Sequence, residues 1–338
     1  MSNKDLVIIN NEKISKEKNT FYCDNVDIKT IPEDLNSNFN VTLIARNSKI
    51  KRDRHINLSK IKIASNIIEF LFKIFKTFKK SETVYLIISI TPYTFFSYFL
   101  LFIFRKKIFL YLISDGYEEY KAIFGFFCPF IYHIMYIFVT FKTQIIVCQK
   151  KIVNKKNADL VFPSQLDANW LRDTKSPLLD KPRLLYVGRI KVEKGIFSLI
   201  EILKQVDIDF ELSIVGKPKG INIDNKIKYY GYENNPEQLK KIYDNHNIFI
   251  LPSFTEGHPQ ALDESLARQR PAIVFQEINH VIQSRSGVFI SKRESSSLIE
   301  TINLIMSNYE NIYNSIKKNK LPTKEKFIEQ MTDILNKN

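Results

Sequence analysis

The stretch Thr83-Val-Tyr-Leu-Ile-Ile-Ser-Ile-Thr-Pro-Tyr-Thr-Phe-Phe-Ser-Tyr-Phe-Leu-Leu-Phe-Ile-Phe104 runs 22 residues without a charge, long enough for a helix across a bilayer. Its punctuation argues for something else. Val84–Ile90 is an apolar run suited to a strand, Thr91-Pro92 fits a helix N-cap followed by proline at the first helical position, and Tyr93–Phe104 has the length of a helix. After Arg105-Lys106-Lys107 comes a second β-rich run, Ile108–Ile113. Strand, turn, helix, strand is a βαβ unit, whose parallel strands are buried on both faces and therefore read as continuous apolar runs. A second uncharged stretch, Ala122–Phe141, is 20 residues long, broken by Pro129, interrupted by His133 and crowded with aromatics. It reads as a helix with an apolar outer face, and neither stretch reads as a span.

Outward from this unit the alternation continues. Leu6–Ile9 and Val41–Ala45 read as strands with Ile31–Asn36 as a short helix between them, Ile56–Lys80 as helical, and Gln144–Cys148 and Asp159–Phe162 as strands. Pro163–Pro182 has the polar, proline-bearing composition of a connection. A second alternation follows: strand 183–187, helix near 195–205, strands 210–215 and 227–230, helix 236–245, strand 248–251, helix 259–268 and strand 272–275. The fold class is α/β, with two doubly wound Rossmann-like domains and an interdomain cleft. The expected boundaries are 1–165, a linker 166–182, 183–322, and a C-terminal helix 323–338 packing back on the first domain. A chain of 338 residues suits two such domains.

With 44% hydrophobic and 25% charged residues the composition excludes a wholly disordered chain and a polytopic membrane protein. Net charge is +14, and residues 1–165 hold most of the excess, 25 basic against 14 acidic side chains. Glycine divides the other way, with only Gly116 and Gly125 in that half. Cys23, Cys128 and Cys148 are too few and too scattered for a disulfide framework or a zinc site, so a reducing compartment and no metal are expected. The first apolar run, Leu6–Ile9, is too short for a signal-peptide core, which points to the cytoplasm.

The chemistry gathers where the second set of strands ends, the ligand side of such sheets. Tyr186-Val-Gly188-Arg189 closes one strand and Lys194-Gly195 opens the next helix. Two cations beside glycine at a helix start make an anion site, Arg binding two phosphate oxygens and Lys acting as a mobile point charge. A solvated loop is the plain alternative. Ile214-Val-Gly216-Lys217 and Tyr230-Gly231-Tyr232 repeat the strand-then-glycine form. Leu251-Pro-Ser-Phe-Thr-Glu256-Gly257-His258-Pro259-Gln-Ala-Leu-Asp-Glu264 places one carboxylate in a loop and another in a helix, with the helix-start N–H groups between them. That arrangement suits a nucleotide sugar, because the N–H groups favour the diphosphate and a carboxylate accepts two hydrogen bonds from a vicinal diol. An acidic first turn that merely stabilises its helix is the alternative.

Together these residues resemble the family-4 (glycosyl transferases group 1) retaining glycosyltransferases of the GT-B fold. The resemblance covers Arg183–Val274, and Leu160-Val-Phe-Pro-Ser164 resembles that family's lead into its interdomain linker. It implies a metal-independent enzyme without a cofactor, taking a UDP- or GDP-linked sugar. Gly188, Arg189 and Lys194 would hold the donor diphosphate, Glu264 the ribose, and Glu256, Gly257 and His258 the donor sugar, with Glu256 also catalytic. Gly216, Lys217, Tyr230, Gly231 and Tyr232 would hold the base. Retention implies that the leaving phosphate assists the incoming hydroxyl.

The chain departs from the family in four places, one of them that no glycine-rich loop follows the first strand, only Asn10-Asn11-Glu12. Where the family has Ala-x-Gly-x-Pro stands Ala267-Arg268-Gln269-Arg270-Pro271, and a Gly-Gly after the next strand is replaced by Gln276-Glu277-Ile-Asn279-His280. Asp115, in Ser114-Asp115-Gly116, stands near a position often held by histidine, as an acceptor-side catalytic group or as the cap of the next helix. The basic cluster Lys49, Lys51, Arg52, Arg54, Lys60, Lys62, Lys73, Lys76, Lys79 and Lys80, with Arg105-Lys106-Lys107 beside aromatics, favours an anionic membrane surface. No nucleic-acid recognition motif accompanies the charge. The expected protein is thus peripheral on the inner face of the cytoplasmic membrane, with a lipid-linked or envelope-polysaccharide acceptor. The alternative is a degenerate transferase fold acting as a binding or scaffold subunit.

Overall fold

The computed structural model describes residues 4–78, 82–149, 153, 157–217 and 227–337, so Lys79 and Lys80 of the basic cluster lie outside the described residues. The chain divides into two compact units, Met1–Phe162 with Lys326–Asn338, and Pro163–Glu325. In the first, strands β1 (Asp5–Glu17), β3 (Asn40–Asn47), β5 (Ile61–Ala64), β6 (Val84–Ile88), β7 (Lys107–Leu112), β8 (Gln144–Val147) and β9 (Ala158–Leu160) run parallel in the order β5-β3-β1-β6-β7-β8-β9. Two short strands, β2 (Thr20–Cys23) and β4 (Arg54–Ile56), extend the far end of β1 in antiparallel fashion. The helices are α1 (Val26–Leu35), α2 (Ile67–Phe75), α3 (Pro92–Ile103), α4 (Gly116–Phe124), α5 (Cys128–Val139) and, from the far end of the chain, α11 (Lys324–Asn336).

The deciding stretch is strand β6, helix α3 and strand β7. Thr91 caps α3 by accepting from the Thr94 N–H at 3.4 Å while the Thr94 hydroxyl accepts from the Thr91 N–H at 2.8 Å, and Pro92 takes the first helical turn. Among the described residues no helix is long and apolar enough to cross a membrane. Helices α1 and α11 cover one face of the sheet through Ile28, Ile31, Leu35, Phe327 and Met331; α2, α3 and α5 cover the other through Phe70, Ile74, Tyr98, Leu101, Met135 and Val139. Burial pushes the Cys23 and Cys148 thiols up to about 12, which leaves both inert.

The second unit repeats the topology. Strands β10 (Arg183–Val187), β11 (Glu211–Val215), β12 (Ile227–Gly231), β13 (Ile248–Leu251), β14 (Ala272–Phe275) and β15 (Val288–Ser291) are parallel, in the order β12-β11-β10-β13-β14-β15. Helices α6 (Ile196–Leu203), α7 (Pro236–Asp244), α8 (Gln260–Ala267), α9 (Ser295–Ser307) and α10 (Tyr309–Ile316) complete it. In each sheet the strand order reverses beside the first strand, β1 or β10, which opens a crevice at that strand's C-terminal end.

Three expectations need correction. The segment 56–80 is not one helix: Ile61 and Ile63 turn toward the core as β5 pairs with β3, and Asn66 then caps α2 by accepting from the Glu69 N–H at 2.9 Å. The helix expected at 31–36 begins five residues earlier, at Val26, with Asn25 as its cap. The segment 166–182 is not a free-standing connection but part of the second unit. Leu166 and Trp170 are buried in its core, and Arg268 holds the carbonyls of Trp170, Arg172 and Asp173 at 3.0, 2.7 and 2.9 Å.

Candidate functional site

Backbone crowding locates the site in the second unit. Gly195 lies between Lys194 and α6 at φ 69°, and a Cβ there would sit 1.8 Å from the Pro252 carbonyl oxygen at the end of β13. A Cβ on Gly216, at the end of β11, would meet the Gly188 carbonyl oxygen at 1.9 Å. The ends of β10, β11 and β13 and the start of α6 are therefore drawn together by glycine, and no other residue type permits that approach.

On this frame stands Glu256. Its Oε1 accepts from the Lys194 ammonium at 2.7 Å and from the Ser253 hydroxyl at 2.6 Å, and its backbone carbonyl accepts from His280 Nε2 at 2.9 Å. The side chains of Lys194 and Glu256 are 19% and 9% exposed. Oε2 has no donor among the described residues and is not sealed from solvent. The pair is thus a fixed ammonium and a carboxylate with one open oxygen, at the start of a helix.

Glu264, on the second turn of α8, accepts from the Tyr243 hydroxyl at 2.9 Å, and burial keeps that phenol protonated as a donor. Gly257 leads to His258, whose ring is buried with Nε2 2.7 Å from the Asp263 carboxylate. Arg285 binds the other oxygen of Asp263. His258 therefore offers no open edge to a sugar in this state and instead ties the loop between the two glutamates to α8. Its Nδ1 is buried without a partner.

Gly188 turns the chain over the buried Tyr186, whose hydroxyl donates to the Arg189 carbonyl at 2.7 Å, and the Arg189 side chain is exposed. The residues assigned to the base sit at neighbouring strand ends. The Gly216 N–H donates to the Gly231 carbonyl at 2.8 Å, the Lys217 ammonium lies 4.6 Å from the centre of the Tyr232 ring, and Tyr230 is exposed. In the first unit Asp115 caps α4, accepting from the N–H groups of Tyr117 and Glu118 at 2.9 and 3.4 Å.

Sequence reasoning missed Arg293, which follows the unanticipated strand β15. Its guanidinium donates to the Pro252 carbonyl at 2.9 Å, pairs with Glu277 at 2.7 Å and lies 4.0 Å from the centre of the Phe254 ring, holding the loop beneath Gly195. The side chains replacing the Gly-Gly are likewise engaged, Glu277 with Arg293 and His280 with the Glu256 carbonyl. Among the described residues no cluster of His, Cys, Asp or Glu is placed to hold a metal ion.

Residues 171–321 match the family described as Glycosyl transferases group 1. A capsular polysaccharide biosynthesis glycosyltransferase of Staphylococcus aureus, CapM, is 26% identical over 159 residues, 43% of this chain and 42% of that protein. The chain thus matches less than half the length of that curated relative. Among solved structures, sucrose-phosphate synthase from Thermosynechococcus elongatus superposes with a TM-score of 0.70 at 14% identity, over 98% of each chain. Anabaena HepE in complex with UDP and glucose superposes with a TM-score of 0.71 at 10% identity, over 99% of this chain and 100% of that one. Glycine-packed strand ends, paired glutamates and two sheets of one topology agree with these findings: residues 171–321 are similar to the glycosyl transferases group 1 family, and the fold is GT-B.

Proposed function

We propose that this protein is a retaining glycosyltransferase that moves a sugar from a nucleoside diphosphate to a hydroxyl of a lipid-linked or envelope-polysaccharide acceptor at the cytoplasmic face of the membrane. The observation that carries the reading is the Lys194–Glu256 pair at the Gly195 turn, with Oε2 of Glu256 open and Glu264 on the second turn of α8. An arriving diphosphate takes Lys194 and the exposed Arg189, and Glu256 turns to the sugar hydroxyls. Glu264 accepts from the ribose, and the base lies against Gly216, Lys217, Tyr230, Gly231 and Tyr232. The anomeric C–O bond to the diphosphate breaks as the acceptor oxygen bonds on the same face, and the hydroxyl proton passes to the departing phosphate oxygen. The leaving group is its own base, so the reading requires no metal or cofactor. UDP is the first nucleotide to test because the Anabaena structure holds UDP, and envelope glycan is favoured because the Staphylococcus relative is named for capsular polysaccharide.

The test is a thermal-shift screen of UDP and GDP followed by turnover of the matching sugar nucleotide. Ligand at about 100 times Kd raises native stability by about 2.7 kcal/mol. Glu256→Gln keeps the fold and lowers turnover by about a hundredfold or more, the scale of losing one electrostatic contact to the transition state. Arg189→Ala and Lys194→Ala weaken nucleoside diphosphate more than nucleoside. Product with the anomeric configuration of the donor is expected; inverted product overturns retention, and unchanged turnover in Glu256→Gln overturns the site. The scaffold reading is favoured by one feature, the loss of glycine at 269 and 276–277, and a chain stabilised by no nucleoside diphosphate would establish it.

A further inference from the structure

We propose that the first unit docks on anionic bilayers by laying its α3–α5 face in the lipid interface, with Phe126 and Phe127 inserted at one end of α5 and Arg105, Lys106 and Lys142 receiving a lipid phosphate at the other. The proposal rests on the reading of a membrane-borne acceptor, but its test uses vesicles and no sugar donor, so the two fail separately.

Helices α3 and α5 carry no charged residue over 12 residues each, so their outward faces are as apolar as their buried ones. Phe126 and Phe127, between α4 and α5, are 79% and 85% exposed, and Phe130 on the next turn is 69% exposed. Gly125, at φ 95° with open space around it, lets the chain reverse there and leaves the two phenylalanines at the apex. Below the apex Tyr120 packs on the buried Tyr132 at 5.1 Å, and the exposed patch continues across the layer as Phe99 meets Phe138 at 5.7 Å between α3 and α5 and Phe75 meets Phe104 at 5.5 Å between α2 and the end of α3. A contiguous apolar surface of this extent marks an interaction site. On the opposite layer the outward positions of α11 are Glu325, Lys326, Glu329 and Asp333, so the asymmetry belongs to one face of the unit.

The rim says what covers it. Lys76 lies 4.4 Å from the centre of the Phe72 ring, Lys106 4.9 Å from Phe78 and Lys142 5.8 Å from Phe141, cations carried on the edge of an aromatic surface. Phe102, Ile103, Arg105, Lys106, Ile108 and Lys142 line a hollow of about 540 Å³. Arg105, Lys106 and Lys142 form no ion pair with another described residue. Acids on this side are few: Glu69 is paired with Lys73, and Glu118 and Glu119 stand at the start of α4, away from the apex. A second copy would bring the same cations against these, whereas anionic headgroups neutralise them, and the acyl region accepts the phenylalanines. A helix of 12 residues, about 18 Å long, is too short to span a bilayer of about 30 Å and suited to lying in its surface.

The full chain should co-sediment with vesicles of phosphatidylcholine and phosphatidylglycerol and bind phosphatidylcholine alone about tenfold more weakly, with release by salt. Phe126→Ser with Phe127→Ser should lower partitioning about tenfold without moving the thermal midpoint, because neither side chain is buried in the unit. Arg105→Gln, Lys106→Gln and Lys142→Gln together should erase the preference for phosphatidylglycerol. In a Phe127→Trp variant, brominated lipid should quench the new fluorescence in excess of the Trp170 background. Wild-type partitioning by the double serine variant, or no quenching at Trp in position 127, overturns insertion. Dimerisation lost in the double serine variant, with no vesicle binding by wild type, overturns the membrane and assigns the face to a second copy.

Discussion

The two units share a strand order and place their polarity in opposite ways. Among the described residues the first buries no charged side chain, whereas the second buries Asp244, Asp263, Arg268 and Arg270. Outside, the first exposes Phe72, Phe96, Phe124, Phe126, Phe127, Phe130 and Phe141, and the second only Phe197 and Phe254 among its phenylalanines. One topology therefore serves two kinds of partner. Buried ions fix loops around a polar ligand site at some cost in stability, while an apolar exterior gives a surface for lipid. The contrast can be broken by showing that the buried ions do not matter, or that the first unit depends on its own special backbone positions as strongly.

The largest effect is expected at Asp244, which receives Arg268 through two bonds of 2.9 and 2.7 Å, with Arg270 against its backbone carbonyl at 3.0 Å. Asp244→Asn leaves a buried guanidinium without its counter-charge and should cost the second unit about 3 to 5 kcal/mol in urea unfolding. Adding Arg268→Met should recover part of that loss, since an apolar side chain needs no partner. A single variant within about 0.5 kcal/mol of wild type, the usual range for surface changes, would mean the pair holds nothing.

Next comes Gly195→Ala, where left-handed backbone and the Pro252 carbonyl both oppose a methyl group. A backbone carbonyl cannot rotate aside as a side chain does, so about 3 kcal/mol and loss of nucleoside-diphosphate binding are expected. Gly125→Ala in the first unit is the control: its φ is 95° but nothing lies within 4 Å, so only backbone strain of about 1 to 2 kcal/mol is felt. Equal losses would erase the distinction between a packed glycine and a hinge glycine.

Legibility followed the range of the interaction. Strands β6, β7, β10, β13 and β14 and helix α3 were readable because apolar runs and the Thr91-Pro92 cap are local signals. The glutamates at 256 and 264 and the strand-end glycines were readable because charge spacing and backbone approach leave marks in the sequence. Strand β1 was cut short because its apolar run turns polar at Asn10-Asn11-Glu12; the chain instead shifts register between Ile9 and Lys13 and goes on to Glu17. Arg268 and Arg270 read as residues replacing a glycine, and nothing local announces that they reach carbonyls of residues 170–175.

The replaced glycine itself gives a smaller effect of opposite sign. Gln269 has φ 59°, the left-handed conformation that glycine adopts without penalty. Gln269→Gly should raise stability by at most about 1 kcal/mol, because relief of strain is partly offset by the greater freedom of glycine in the unfolded chain. Loss of stability on that change would show that the Gln269 side chain contributes more than its backbone costs.

The smallest effect is a pH dependence confined to the second unit. Burial lowers the pKa of His246 below its ordinary value; its Nδ1 bonds the Ile242 carbonyl at 2.5 Å, which acts the other way, and Lys228, Glu211 and Arg183 are the charges that face it. The folded chain therefore holds this imidazole neutral while the unfolded chain protonates it near pH 6.5. Its contribution is complete above that pH and falls as pH drops through the window below it, where the unfolded state binds the extra proton. The slope from one such group cannot exceed about 1.4 kcal/mol per pH unit. His246→Asn should be less stable than wild type at pH 7.5 and lose less between pH 7.5 and 5.5, as read from thermal midpoints of the second unit (both pH values about one unit either side of the ordinary histidine pKa). A variant that falls as steeply as wild type over that interval would move the titration to another group.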